Sequence, residues 1–101
     1  MVARMTIPTR LVLEAMLAEP EREHFGRRIG EAAGLPSGTV HPILARLERA
    51  GWLTSRWEDV DPTAEGRPRR RYYRLTPDGL GRARAAAERA RRPAVAWGGA
   101  S

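Results

Sequence analysis

The sequence predicts a mainly α-helical fold with a two-stranded β-hairpin, an α+β arrangement in the order α-α-α-β-β-α. Three observations predict this fold. Apolar residues recur at helical spacing up to Gly51, two later segments alternate apolar and polar residues, and a Thr-Pro-Asp helix start follows the second segment. The chain has 101 residues and no cysteine. It is therefore expected to form one domain without disulfides, a Cys-ligated zinc site or a thiol nucleophile.

Two helices are predicted in the first third of the chain. The first covers residues 6–18 and is apolar around much of its circumference, with Leu11 on its apolar stripe. The polar, proline-containing stretch AEPEREH then predicts a loop. The second helix is short and starts near His24. It is expected to end at Gly34, because glycine readily adopts the left-handed conformation of a helix C-terminus.

The third predicted helix has the most regular amphipathic pattern in the chain. Ser37 is expected to cap its N-terminus through the hydroxyl, and Gly51 is expected to close its C-terminus. The apolar face is spaced at i, i+3, i+4, i+7 and i+10, with Val40, Ile43, Leu44, Leu47 and Ala50. The opposite face carries polar residues, namely Thr39, His41, Arg46 and Arg49.

Two antiparallel strands are predicted at residues 52–57 and 70–75. The connection between them, EDVDPTAEGRPRR, is interrupted by proline and glycine and is expected to form a protruding, mobile hairpin tip. The motif TPD at Thr76 predicts the start of the last helix, with a capping hydroxyl, proline in the first helical position and an acid near the positive dipole end. This helix is expected to run to about Arg92, because a proline follows.

This order of elements is that of a winged helix-turn-helix domain. In such domains the third helix lies in the DNA major groove, and the hairpin, or wing, reaches the adjacent backbone or minor groove. The predicted organisation is a DNA-binding domain at residues 1–76, a dimerisation helix at residues 77–92 and a flexible tail at residues 93–101. The sequence has neither a run of about 18 apolar residues nor a signal-peptide core. The protein is therefore expected to be soluble and cytoplasmic, and DNA binding would make it nucleoid-associated.

Positive charge is concentrated in the second half of the chain. The formal net charge is +6, from 18 arginines and 12 acidic residues. Residues 1–50 carry seven arginines against six acids, whereas residues 51–101 carry eleven against six. Five of the arginines fall within residues 66–74, where there is no acid. A patch of this sign attracts phosphate, although a run of charge is by default a solvated face.

The predicted DNA-binding residues lie at the start and on the outer face of the third helix and in the wing. They are Ser37, Gly38, Thr39, His41, Arg46, Arg67, Arg69 and Arg70. Free amides at a helix N-terminus bind phosphate and position the domain, while an arginine in the groove can bind guanine through two hydrogen bonds. The alternatives are that Ser37 only caps the helix and that the arginines are merely solvated.

A heptad-like seam in the last helix, together with the apolar first helix, predicts a dimer face. The predicted dimer face consists of Leu11 from the first helix and of Leu80, Ala83, Ala87 and Ala90 from the last. A partner subunit is also expected because a chain of this length buries a limited fraction of its surface alone. The alternative is an alanine-rich helix that packs only on its own domain.

Two segments of the chain resemble the PadR-like winged-helix transcriptional regulators. SGTVHPILARLERAGWLTSRWE at Ser37–Glu58 is similar to the family's recognition helix and first wing strand. GRPRRRYYRLTPDG at Gly66–Gly79 is similar to its second wing strand and the start of its last helix, and FGRRI is similar to its second helix. The resemblance implies a homodimeric, DNA-binding transcriptional regulator, usually a repressor, that a small effector releases in members where one is known.

The chain departs from the family's pattern in two respects. The family usually has tyrosine where this chain has His41, so the contact made there differs in chemistry and could depend on pH. The C-terminal part is short and resembles compact members without a large effector domain. A small-molecule effector, where one is sensed, is expected between the first and last helices with Trp97 as a contact. A two-fold dimer predicts a palindromic double-stranded DNA operator.

Two other classes of function remain as alternatives. A winged helix can be a protein-interaction module that binds no DNA and sets its basic hairpin against an acidic partner. A small enzyme or ligand-binding protein would need a pocket with perturbed ionisable groups, which nothing in the sequence indicates. His24 and His41 lie seventeen residues apart without a metal-ligand spacing. No catalytic residue, metal, cofactor or membrane partner is predicted.

Overall fold

The computed structural model describes residues 5–91 of the chain. The helices and strands follow in the order α1 (Ile7–Leu17), β1 (His24–Phe25), α2 (Gly26–Ala33), α3 (Ser37–Arg49), β2 (Leu53–Trp57), α4 (Pro62–Glu65), β3 (Arg71–Leu75) and α5 (Pro77–Arg91). This order confirms the predicted mainly helical fold with β2 and β3 as the strands of the wing. Two short elements, β1 and α4, are additional to the predicted order.

The hydrophobic core lies among α1, α2, α3 and the base of the wing. Its largest fully buried side chains come from the three helices, namely Leu13, Met16, Ile29, Leu44 and Leu47. Leu53 and Leu75 close the core on the side of the sheet. The apolar stripes predicted for the first and third helices are therefore the faces that pack together.

The turn between α2 and α3 brings these helices together as a helix-turn-helix. Gly34 ends α2 with a φ of 71°, the left-handed conformation predicted for it. The predicted capping role of Ser37 is wrong, because Pro36 is the N-cap of α3. The Pro36 carbonyl accepts from the amides of Thr39 and Val40 at 2.9 and 3.1 Å. Ser37 therefore lies inside the first turn of the helix.

The wing is the antiparallel pair of β2 and β3. Leu53 pairs with Leu75 at its base, and Trp57 pairs with Arg71 at its far end. Side chains alternate along a strand, so Leu53 and Trp57 share a face, as the sequence predicts. Leu53 is buried, whereas Trp57 keeps 57% of its surface exposed. The hairpin thus extends beyond the core.

Strand β1 adds a third strand to the sheet, in the order β1-β3-β2. The predicted start of the second helix near His24 is therefore two residues too early. His24 and Phe25 pair with Tyr73 and Tyr72 of β3, and α2 begins at Gly26. The rings of Phe25 and Tyr72 meet edge to face with their centres 5.8 Å apart. In this pairing the backbone of Phe25 is extended, and the residue lies directly before the first residue of α2.

The tip of the hairpin contains a single helical turn, α4, where the sequence predicts only a loop. The Asp61 carboxylate caps this turn by accepting from the Thr63 amide at 3.0 Å. Gly66 ends it with a φ of 69°. Asp before Pro and a later Gly are ordinary helix start and stop residues, so the sequence carried the information for this turn.

Helix α5 begins against the connection between α3 and β2. The Thr76 hydroxyl caps the helix as predicted, accepting from the Gly79 amide at 3.0 Å. The same hydroxyl donates to the Gly51 carbonyl at 2.7 Å. A Cβ at Gly79 would lie 1.9 Å from the Trp52 carbonyl oxygen, so only glycine allows this close approach.

Helix α5 is described as far as Arg91. The predicted last helical residue Arg92, the tail at residues 93–101 and the predicted effector contact Trp97 lie outside the described residues. The division of the chain at residue 76 stays a prediction. Among the helices of residues 5–91, none has the length and apolar character needed to cross a membrane.

Candidate nucleic-acid interface

The outer face of α3 carries few bulky side chains. The residues opposite the buried stripe are spaced by four, three and four positions, namely Gly38, Pro42, Ala45 and Arg49. A Cβ at Gly38 would point into open space. Because Gly38, Pro42 and Ala45 have short side chains, the helix backbone can come close to the floor of a groove.

The first turn of α3 is accessible. Ser37 and Gly38 are exposed, and Thr39 is half-buried. The first amides of a helix have no partner within the helix and carry the positive end of its dipole; here these are the amides of Ser37 and Gly38, because the Thr39 amide donates to the Pro36 carbonyl. No acidic residue lies in this described turn. The structure thus brings together three of the predicted residues in an environment that suits a phosphate.

His41 lies on the side of α3 that faces the wing. The residue is exposed, yet its imidazole packs over Gly26 at the start of α2. A Cβ at Gly26 would lie 2.9 Å from His41 Cε1. The glycine therefore makes room for the ring, and the contact fixes where the ring lies.

Two arginines occupy the last turn of α3. Arg46 is half-buried and Arg49 is exposed. Within residues 5–91, neither guanidinium takes part in a hydrogen bond, an ion pair or a cation–π contact. Both charges are therefore available to an external anion. Arg49 was not among the predicted DNA-binding residues, although the sequence places it on the outer face of the helix.

Arg67 is bound inside the wing. Its Nη1 and Nη2 donate to the two carboxylate oxygens of Glu58 at 2.7 and 3.0 Å. These hydrogen bonds, helped by one from the Arg70 amide, lower the pKa of Glu58 to about 2 despite the opposing effect of burial. The same pair raises the pKa of Arg67. Much of the charge of Arg67 is therefore balanced within the wing.

Arg69 and Arg70 have different surroundings. Arg69 is exposed, and its Nε donates to the Val60 carbonyl at 2.8 Å. Its two terminal nitrogens have no partner in the described part of the chain. The Arg70 guanidinium lies 4.4 Å from the centre of the Phe25 ring, a cation–π contact that ties the wing to β1. Arg69 is thus the most available of the three predicted wing arginines.

Arg71 joins the wing to α3, a role that was not predicted from the sequence. Its Nε donates to Ser55 Oγ at 3.0 Å, and its Nη2 lies 3.7 Å from a carboxylate oxygen of Glu48. Its guanidinium also lies 5.0 Å from the centre of the Trp57 ring. Strand alternation could have placed Arg71 on the same face as the buried Tyr73. Its partner on α3 follows only from the tertiary fold.

A cleft of about 590 Å³ lies between α3 and the wing. It is lined by His41 from α3 and by Trp57, Arg69 and Arg71 from the wing, among others. Its described lining includes five arginines and no acid. Charges of one sign along a concave surface attract a ligand of the opposite sign, so this cleft suits a polyanion.

The residues predicted for the dimer face differ in exposure. Ala83 and Ala87 are only 1% and 6% exposed, because α5 packs on its own chain against α1. Leu11 and Leu80 are half-buried, and Ala90 is exposed. Ala83 and Ala87 therefore pack within their own domain, as in the alternative interpretation, and offer almost no surface to a second chain.

The helix-turn-helix, the wing and the basic cleft between them define the chain as a winged helix-turn-helix protein. The sequence model of the transcriptional regulator PadR-like family matches residues 22–86, which include α2, α3 and the wing. The chain therefore belongs to the PadR-like family of transcriptional regulators, which confirms the resemblance found in the sequence.

Several solved structures, including those of two transcriptional regulators, are similar to this chain. The PcaV transcriptional regulator from Streptomyces coelicolor, in complex with its natural ligand, is 34% identical with a TM-score of 0.63, covering 79% of this chain and 51% of its own. A PadR family transcriptional regulator from Eggerthella lenta DSM 2243 is 26% identical with a TM-score of 0.62, covering 82% of this chain and 73% of its own. The protein smu.1704 from Streptococcus mutans UA159 is 26% identical with a TM-score of 0.64, and the match covers 84% of this chain and 80% of smu.1704.

Some of the similar structures are of proteins much longer than this chain. The chain spans about half the length of the PcaV structures and of the structure of AbfR, which is 28% identical to this chain with a TM-score of 0.66. A search of curated proteins gives no match.

Proposed function

We propose that the protein is a sequence-specific, double-stranded DNA-binding transcriptional regulator, a dimeric repressor of PadR type. The cleft between α3 and the wing carries this proposal, because five arginines and no acid line its described part. The first turn of α3 is exposed, and so is Arg69 in the wing. A duplex with α3 in its major groove would lay one phosphate backbone along this cleft.

The proposed roles follow from the surroundings of each residue. The first turn of α3, residues 37–39, binds a backbone phosphate chiefly through the amides of Ser37 and Gly38, because the Thr39 amide already donates to the Pro36 carbonyl. His41 and Arg46 contact base edges in the major groove, where an arginine can bind guanine through two hydrogen bonds. The basic surface of the wing is formed by Arg67, Arg69 and Arg70.

The proposed dimer forms at the end of the molecule where α1 meets α5. Met5 and Ile7 are large apolar residues there, with 37% and 66% of their surfaces exposed. Ala90 lines the same surface as Met5 and Ile7, and the proposed dimer face also includes the half-buried Leu11 and Leu80. Two α3 helices related by a two-fold axis would then enter successive major grooves of a palindromic operator.

Regulation by a small molecule is part of the proposal. The structure of PcaV holds that protein's natural ligand. For this chain, a small effector at the dimer interface, with Trp97 as a contact, would relieve repression by favouring a dimer that does not fit the operator. The proposed place of action is the nucleoid in the cytoplasm.

A salt titration of DNA binding tests the proposed function. Fluorescence anisotropy would measure binding to a random duplex and to the DNA upstream of the protein's own coding sequence. Light scattering would measure the mass in parallel. We expect a dimer that prefers the upstream DNA, with affinity that falls steeply as salt rises because each neutralised phosphate releases counterions. Arg84→Ala is a control for the arginine variants of the cleft, because it removes an exposed arginine of α5 outside the cleft. It should bind both duplexes as the wild type does.

The other outcomes are distinct. Salt-sensitive binding without preference would retain DNA binding but place the operator elsewhere. A monomer that binds the upstream DNA would refute only the dimer. Failure to bind either duplex at low salt would contradict the proposal and favour the alternative of a protein-interaction module with an acidic partner.

A further inference from the structure

Glu58 is an acid in the most basic part of the molecule. It follows the last residue of β2, and its side chain is only 13% exposed. A carboxylate near a surface that binds phosphate weakens binding through repulsion between like charges. If Glu58 favours DNA binding despite this repulsion, it does so through the groups that its carboxylate holds in place.

The carboxylate of Glu58 joins both sides of the wing. One oxygen accepts from Arg67 Nη1 at 2.7 Å and from the Arg70 amide at 3.1 Å, and the other accepts from Arg67 Nη2 at 3.0 Å. The Glu58 amide in turn donates to the Arg70 carbonyl at 2.8 Å. Residue 58 thus continues the pairing of the hairpin past the last ladder residues and reaches across the tip to Arg67.

Two more hydrogen bonds hold the tip, and the first of them involves Arg67. The Arg67 amide donates to the Pro62 carbonyl at 3.2 Å, which attaches α4 to Arg67. Arg69 Nε donates to the Val60 carbonyl at 2.8 Å. The path from Glu58 to Arg70 is therefore held at several points, and Arg69 projects from a fixed backbone.

We propose that Glu58 is a positioning residue for DNA binding, which holds the wing tip through Arg67 so that Arg69 meets a phosphate. This inference rests on the proposed function. A tip that is ordered before binding loses less conformational entropy when DNA binds. Within the basic surface of the wing, Arg67 then acts through Glu58, because its forked donors are already occupied by the carboxylate.

Two neutralising variants separate positioning from simple repulsion. Glu58→Gln and Asp59→Asn each remove one negative charge from adjacent residues, and Asp59 is exposed. If repulsion were the only effect, both variants would bind duplex DNA more tightly at low salt. We expect Glu58→Gln to bind about tenfold more weakly than the wild type, and Asp59→Asn to bind as tightly or slightly more tightly.

Arg67→Lys supplies the second test, because it keeps the charge but loses the forked pair. We expect it to weaken binding as Glu58→Gln does, with little further loss in the double variant. The slope of log affinity against log salt should become shallower by about 0.9 in each, as one phosphate contact is lost. Partial unfolding would lower the binding-competent fraction without changing this slope, and thermal melts would detect it.

Hydrogen exchange of the Arg70 amide provides a measurement without DNA. We expect faster exchange in Glu58→Gln than in the wild type, with unchanged exchange in α3. Equal or tighter DNA binding by Glu58→Gln would overturn the inference, and so would an unchanged salt slope or unchanged exchange at Arg70. Wild-type protein that binds no duplex would instead overturn the proposed function, and the two failures are therefore distinguishable.

Discussion

The helical half of the molecule and the wing are stabilised by different forces. The helices bury apolar side chains such as Leu44 and Ile29 completely. The tip and outer face of the wing are instead held by ion pairs. Arg67 pairs with Glu58, and Arg56 donates two hydrogen bonds of 2.7 Å to Glu23. Apolar packing is sensitive to lost volume, whereas partly exposed ion pairs contribute little to overall stability but fix geometry. DNA binding and stability should therefore be separable by mutation.

The largest expected effect is a loss of stability from a core substitution. Leu44→Ala removes a completely buried side chain from α3 and should lower the free energy of unfolding by about 3 kcal/mol. Val60→Ala, at a half-buried position of the wing tip, should cost less than about 1 kcal/mol. Urea unfolding would measure both. Equal losses would show that the wing is part of the same apolar core.

The next effect concerns sequence preference. Arg46→Ala should reduce the difference in binding free energy between operator and random DNA by about 1–3 kcal/mol, because a contact with a base edge is lost. Competition binding with operators altered at single base pairs would measure this change. An equal loss of affinity on operator and random DNA would mean that Arg46 contacts only the backbone.

A smaller and uniform effect is expected from the wing. Arg69→Ala should weaken binding to every duplex by about tenfold and should leave the preference for the operator intact, since a phosphate contact carries no base information. Anisotropy titrations at several salt concentrations would test this, with Arg84→Ala as control. A change in operator preference would assign Arg69 to a base edge in the minor groove.

The smallest expected effect is a response of the wing to pH. The pKa of Glu58 is lowered from 4.5 to about 2, chiefly by its hydrogen bonds from Arg67. The contribution of this pair to stability is therefore fully present above about pH 4.5 and is lost as the pH falls through about 2. Carboxyl chemical shifts of Glu58 would report the titration. A midpoint near 4.5 would show that the pair does not form in solution.

The helical half was predictable because its information is local. Apolar periodicity gave α1 and α3, and the residues that end or cap helices, Gly34 and Thr76, act as predicted. The capping role of Ser37 failed because Pro36, one residue earlier, can also start a helix. Sequence alone does not decide between adjacent starts when both are sterically allowed.

The details of the wing were less predictable because they depend on contacts between distant residues. Phe25 lies in a stretch that looks helical, and only pairing with Tyr72 makes it a strand. Glu58 and Arg67 meet because α4 folds the tip back, so a charge count cannot reveal that the pair is internal. The burial of Ala83 likewise follows from how closely α5 approaches α1.

In the proposed function, α3 and the wing together form the DNA-binding face, while α1 and α5 do not. Backbone amide chemical shifts recorded during titration with a duplex would test it most directly. We expect perturbations at the first turn of α3, residues 37–39, and at the wing tip, residues 67–70, with little change at the α1–α5 end. Perturbations concentrated on α1 and α5, with an unaffected wing, would contradict it.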